Sequence, residues 1–505
     1  MRRVIVASMC LVACGHDKTV SDRPTVATTS TPTGAPKGDI VTGEISMMNS
    51  ARYGRPPTKF SPGSVSALSP PKATKTASGY VVQFASHASI TTPTVYDHRV
   101  IVSGGFQSTQ LYAFEAQTGN PQWALDLHDD GPSSPACEDG VCVINTESCT
   151  IFAVDAKTGK QLWSYWLGDP LTSAPAIAHG RVFSSYPAAQ SEGGKSAPPG
   201  ANHVLVAFDL KSGQIDWQLW LDGDVMSAPV AVGDFLYVST FAGTVIKLEQ
   251  ATGKVRYAMK AEATSAPVVQ FASDGMESMY YTKASTDRDK KTKSESVIRA
   301  DHNEPETKYE TAKKAAPYID HDVQAKSAFH KKAAEDDSAN GFGGGAPASA
   351  APALAAAQVG VASVASMQGF QGSRVLRFGD RNLNTMGDEV IATDRDTGKQ
   401  LWSYKLAGNA NQQGGFLGTA PLATQNAIMV GTLEGKILKL DPKTGTPTAV
   451  YTVGAQLRSQ PVVDGGWIYA GTEDGKLIAI DTKDPTITGW PTWGGNAQRT
   501  GVAKP

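Results

Sequence analysis

Histidine is scarce, with nine in 505 residues. There is no His-x-His or His-Glu-x-x-His arrangement, so a zinc hydrolase or a histidine relay has no support. His87, His98 and His128 fall in or near the first repeat described below. His302, His321 and His330 fall in worn or inserted sequence, and all six read as loop or surface residues. Cysteine is scarcer still, five in all. No Cys-x-x-Cys pair exists to seat a metal. An excess of one charge is also missing. Lys and Arg number 46 against 48 Asp and Glu, for a net charge of -2. Without a basic stripe, nucleic acid is excluded as a partner. Only the stretch Val4 to Ala13 is continuously apolar, and it is too short to span a bilayer. The chain has glycine and proline instead, 50 and 30 residues, which suits a fold rich in turns.

The N-terminus carries an address. Arg2 and Arg3 precede the apolar run, which ends in Leu11-Val12-Ala13-Cys14-Gly15. Basic, then apolar, then small is the layout of a secretory signal. Leu-Val-Ala-Cys resembles the lipobox of bacterial lipoproteins. That resemblance implies that Cys14 is acylated and becomes the mature N-terminus. Gly15, where Asp would retain the protein at the inner membrane, points to the outer membrane, with the folded part in the periplasm or on the cell surface. Residues 1–14 are thus expected to be signal and lipobox. Residues 15–77, rich in Ser, Thr and Pro and without periodicity, are expected to form a flexible tether.

From about residue 78 one pattern of roughly 40 residues recurs. A strand reading Ser-x-Pro-x-x-x-x-Gly is followed by a second apolar strand. Then come apolar-x-Ala-x-Asp, Thr-Gly and a Trp. The clearest copies carry Glu115, Thr118-Gly119 and Trp123; Asp155, Thr158-Gly159 and Trp163; Asp209, Ser212-Gly213 and Trp217; and Asp394, Thr397-Gly398 and Trp402. Glu249 is followed by Tyr257 in the Trp place. Asp441 lacks the aromatic, and Asp481 begins a looser copy. A worn copy around Asp301 brings the count to eight, with seven as the alternative. Four short alternating stretches per copy read as antiparallel strands, and sheets that are apolar on both faces must bury each other radially. The expected fold is therefore all-β, an eight-bladed propeller over 78–505. A low-complexity insertion is expected over 313–358. Two segments compete to close the ring as the outer strand of the last blade, Tyr80–Phe84 and the tail near Trp490–Trp493.

Trp123, Trp163, Trp217 and Trp402 hold a fixed place in the repeat and are expected to be core residues that dock one blade on the next. Trp166 and Trp220 are additional and are expected near blade ends, partly exposed. With Phe416 and Arg458 in interblade loops, they are candidates for a partner contact. Cys137, Cys142 and Cys149 lie close together in the second repeat, and one disulfide is expected among them, the pair being open. The acidic groups Asp126, Asp129 and Asp130, and Asp222 and Asp224, lack the alternation of a calcium loop.

The Ala-x-Asp-x-x-Thr-Gly-x-x-x-Trp string resembles the tryptophan-docking repeat of pyrroloquinoline-quinone-type propellers, over about 78–503 apart from the insertion. Trp490-Pro491-Thr492-Trp493-Gly494-Gly495-Asn496-Ala497-Gln498-Arg499-Thr500-Gly501 is similar to a segment of that superfamily. Within it, the lipobox, tether and missing chemistry resemble the propeller lipoproteins of outer-membrane β-barrel assembly. The resemblance implies a monomeric scaffold without catalysis, cofactor or metal, lipid-anchored and holding protein partners in the envelope. The alternatives are a ligand- or surface-binding sensor and a quinone-dependent oxidoreductase. The adjacent cysteines often found in such oxidoreductases are absent here.

Overall fold

In the computed structural model the described residues are 58–59, 65–105, 108–146, 150–167, 173–187, 201, 203–272, 275–287, 292–301, 304–310, 314–316, 374–410, 413 and 416–503. Cys14, Cys149 and most of the expected insertion lie outside them. The described strands form eight antiparallel sheets. In blade 1 the strands Thr94–Tyr96, Arg99–Ser103, Gln110–Glu115 and Pro121–Asp126 follow one another from inner to outer. Blades 2 to 7 span 136–166, 176–221, 230–260, 268–310, 376–405 and 422–452. Blade 8 spans 462–481, and Gly79–Gln83 is its next strand outward.

Blades are apolar on both faces because each is buried on both. In Val141–Asn145 of blade 2, Cys142 and Ile144 pack with blade 1, while Val141 and Val143 pack with blade 3. Similar clusters fill the other junctions, and the one around Phe84 and Phe114 joins blade 8 to blade 1. The worn copy at Asp301 is a full blade, so the count is eight.

The expected docking residues are core. Trp123 Nε1 donates to Ala156 O, Trp163 Nε1 to Leu210 O, Trp217 Nε1 to Gln250 O and Trp402 Nε1 to Pro442 O, each in the following blade. The indole lies on the turn glycine. A Cβ on Gly213 would stand 2.7 Å from Cγ of Trp163, and its φ is +69°. Only glycine tolerates both the contact and the left-handed backbone. Ahead of the aromatic the ladder slips by one residue: Ala153 pairs with Trp163, but Val154 pairs with Gln161. This bulge turns the ring toward its neighbour and leaves Leu162 outside the ladder, exposed, as Leu401 is before Trp402.

The acidic residue of the repeat caps the same turn. Asp155 Oδ1 accepts from Thr158 Oγ1 at 2.7 Å and Thr158 N at 2.8 Å. Asp209 and Asp394 repeat this with Ser212 and Thr397. The hydroxyl bond, and with it the amide bonds, hold all three carboxyls below the usual range.

Two expectations need correction, and one open choice is decided. The tether does not extend to residue 77. Thr58–Lys59 pairs with the outer strand of blade 2, Ser66–Ala67 with that of blade 1, and Thr74–Thr76 with Gly79–Gln83. Such short strands bind through backbone groups, so no periodicity marks them. The insertion does not begin cleanly at 313, because Lys314–Ala316 pairs with Thr292–Asp301 of blade 5. The ring is closed by Gly79–Gln83 on Lys476–Asp481, with Tyr80 in the docking role: its hydroxyl donates to Ala116 O at 2.9 Å. The tail near Trp490 does something else.

Trp163→Ala is expected to cost about 3–5 kcal/mol in urea unfolding. Gly213→Ala is expected to cost at least about 1 kcal/mol more in the wild-type background than beside Trp163→Ala, because the clash is then gone. The turn carboxylates have folded pKa values below their unfolded ones. Their stabilisation is therefore complete above about pH 4 and is lost as pH falls through the folded values. Replacing Asp155, Asp209 and Asp394 together by Asn is expected to flatten the acid limb of a Tm-against-pH curve.

Candidate functional site

The tail runs round the inside of the ring. Main-chain bonds tie it to the middle residue of five inner strands. Val463 N donates to Trp490 O, Val95 N to Pro491 O, Ile177 N to Ala497 O, Ala231 N to Gln498 O and Arg377 N to Gly501 O. Inner strands expose such groups to the channel, and the tail satisfies them. Trp493 is buried against Ala174 of blade 3 and Ala228 of blade 4. Arg499, fully buried, spreads its guanidinium over Ser134 O, Pro135 O, Pro175 O, Trp493 O and Thr492 Oγ1 at 2.8–3.2 Å. Arg374, entering from blade 6, lies over the Trp493 ring at 4.4 Å and donates Nη2 to Arg499 O. Burial lowers both guanidinium pKa values to about 9, with Arg374 adding to the effect on Arg499.

An arginine and an indole thus converge on the axis, as a quinone site would require, but the indole is the tail's own and occupies the space. Among the described residues no group of three or more His, Cys, Asp or Glu is arranged to hold a metal. The acidic clusters are dispersed. Asp222 accepts from Thr240, Thr244 and Lys260, Asp224 from Ser185 and the Val225 amide, and Asp126 from the His128 amide.

The partner-contact candidates share one rim. With antiparallel strands, the capped Asp-Thr-Gly turns lie at one end of the blades, and the loops from an outer strand to the next inner strand lie at the other. Trp166 and Trp220 end outer strands at this second rim, and Phe416 and Arg458 lie in its loops. Trp166 is 37% exposed. Phe416 is half-buried. Arg458 pairs with Glu473 at 3.2 Å and donates to Gln413 O, and Glu473 also accepts from Ser89. One ion pair thus ties loops from the last interblade steps. Trp220 needs correction: it is 1% exposed. Its parity in Ile215–Leu221 turns it toward blade 2, where it packs in the shared core. The same rim carries a feature that sequence reading missed. Glu277–Asp287 and Thr292–Asp301 of blade 5 run eleven and ten residues, so their hairpin, with Lys314–Ala316 beside it, is longer than its counterparts. Its alternating polar residues hid it within sequence that reads as worn.

The disulfide joins Cys137 and Cys142, which face each other across the first two strands of blade 2.

The junction between blades 4 and 5 departs from the repeat. Blade 5 has no turn glycine to receive an aromatic. Instead Tyr257 donates to Glu277 Oε1 at 2.9 Å, while Glu277 Oε2 accepts from Tyr237 at 2.7 Å and pairs with Lys247 at 2.5 Å. Lys247 Nζ sits 4.0 Å from the Phe235 ring centroid. Burial, then the nearby Glu277 charge, raises the Tyr237 pKa. Glu277→Gln is expected to cost about 3–5 kcal/mol, since it strands a buried ammonium, and Lys247→Met with Glu277→Leu to recover most of that. Urea midpoints of the two variants check this.

These features define a class: an eight-bladed propeller locked by docked aromatics, with its axis closed by its own tail. A family model described as outer membrane protein assembly factor BamB matches residues 107–218, 187–285 and 385–495. The matches cover more than half of the chain, and the chain belongs to that family. Among solved structures, BamB from Moraxella catarrhalis is similar at 15% identity, covering 82% of this chain and 97% of that one, with a TM-score of 0.48. The computationally designed Ika8 protein is 13% identical over 79% of this chain and 98% of its own, with a TM-score of 0.51. A europium-containing methanol dehydrogenase is 14% identical over 84% and 87%, with a TM-score of 0.50. At these identities none of the three likenesses says anything beyond the fold. No curated protein matches the chain.

Proposed function

We propose that this chain is a lipid-anchored, non-catalytic propeller that holds protein partners during outer-membrane protein assembly, with Cys14 as the anchor and the propeller in the periplasm. Membership of the BamB family carries this reading. The closed axis supports it, because the space that an enzyme of this architecture would use for a cofactor is taken by Trp493, Arg374 and Arg499. The rim with the interblade loops is the contact surface in this reading. It combines an exposed indole at Trp166, the Arg458–Glu473 pair and the long hairpin of blade 5.

Cys14→Ser is expected to move the protein from the membrane to the soluble periplasmic fraction. Mild solubilisation of membranes holding a tagged wild-type protein is expected to recover the β-barrel assembly machinery with it. Trp166→Ala with Arg458→Gln is expected to reduce that recovery at least tenfold while lowering Tm by no more than about 2–4 °C. A wild-type protein that elutes alone would overturn the proposal.

A further inference from the structure

Among the described residues the axis holds two cations and no acid that answers them. Arg374 and Arg499 are 4% and 0% exposed. Burial opposes the charge on both, and no carboxylate offsets it. Arg499 is satisfied by oxygens, but Arg374 is not. Its Nε and Nη1 are buried without a hydrogen-bond partner, and so is Nε1 of Trp493, the ring on which Arg374 lies. A fourth orphan atom belongs to the same level of the ring. Arg374 stands two residues before the inner strand Leu376–Phe378 of blade 6. Thr92 holds that place in blade 1, before Thr94–Tyr96, and its hydroxyl is also buried and unpartnered.

The equivalent places show how few long side chains compete with Arg374 at this level. They are Ser134 in blade 2, Ala174 in blade 3, Ala228 in blade 4, Ala266 in blade 5, Ala420 in blade 7 and Gln460 in blade 8. Small residues dominate this level, and Arg374 is the one charged member. The orphans Nε, Nη1 and Nε1 are all N–H donors, and the Thr92 hydroxyl can donate too. A buried donor left unpaired costs roughly 1–3 kcal/mol, and unpaired donors are rare in folded proteins. Water would satisfy donors but would not offset two charges.

We propose that the propeller axis at Arg374 and Trp493 binds a small inorganic monoanion, of the size of chloride or bromide, which fastens the C-terminal tail to the ring. Arg374 supplies the charge, Trp493 Nε1 a second donor, and Arg499 keeps the local field positive. Gly494 belongs to the same arrangement, because a Cβ there would stand 2.8 Å from Arg374 Nη1.

The test compares thermal unfolding in sodium chloride and in sodium gluconate at equal ionic strength, gluconate being too large for a closed axis. Wild-type Tm is expected to be higher in chloride by about 2–4 °C, with saturation as chloride rises. Arg374→Met is expected to abolish that increment. General salt effects are common to both proteins and cancel in the comparison. A wild type indifferent to the anion, or an Arg374→Met protein that keeps the increment, would sink the proposal. Crystals of the wild type grown in bromide give a readout independent of any variant. An anomalous peak within hydrogen-bond distance of Arg374 Nη1 supports the site, and peaks confined to the surface count against it.

Discussion

The packing of a flat aromatic onto a glycine in the next blade is the contact on which this molecule depends. It couples three local choices that would otherwise be independent. The glycine must be left-handed to end the turn, the acidic residue must cap the turn to hold it there, and a bulge must rotate the aromatic out of its own sheet. Each is worth little alone. Together they fix the distance and angle between neighbouring sheets, and the angle repeated around the ring determines whether it closes.

Where the contact fails, the chain substitutes. Blade 8 receives its aromatic from Tyr80, far away in sequence. Between blades 4 and 5, Tyr257 and Glu277 replace indole and glycine, and Lys247 neutralises the acid. Between blades 5 and 6, Arg299 reaches the turn at Arg395 and Asp396. These joints are polar and specific, whereas the repeated one is apolar and general. The worn blade is therefore the place where charged groups join the apolar clusters in holding the ring, and it is also the blade with the long hairpin.

Much of the fold was legible because the repeat writes its turn chemistry into the sequence. Asp155, Thr158, Gly159 and Trp163 announce strand, turn, bulge and neighbour in thirteen residues of chain, 151–163. Blade 5 was legible only through spacing, since its docking residues had changed. The strands at 58–76 left no trace because two or three residues pair by backbone alone. Trp166 and Trp220 look alike in sequence, three residues past a docking Trp, yet one is exposed and one buried. What separates them is the neighbouring blade, which a local pattern does not contain. The disulfide needed the pairing of Cys137 with Cys142, a matter of register. The axial arrangement needed the whole ring, because Arg374 meets Trp493 only after every blade is in place.

Two far-separated segments complete the ring in different ways. Residues 79–83 seal its circumference, and residues 490–503 follow its inner wall like a second hoop, touching blades 8, 1, 3, 4 and 6 in turn. A hoop sealed at one seam opens when that seam is pulled. A hoop backed by an inner band shares that load among five of its eight staves. Residues 490–503 also follow every blade in sequence, so the inner band cannot form before the last blade has been made. The ring can assemble blade by blade as a compliant object and become stiff only at the end.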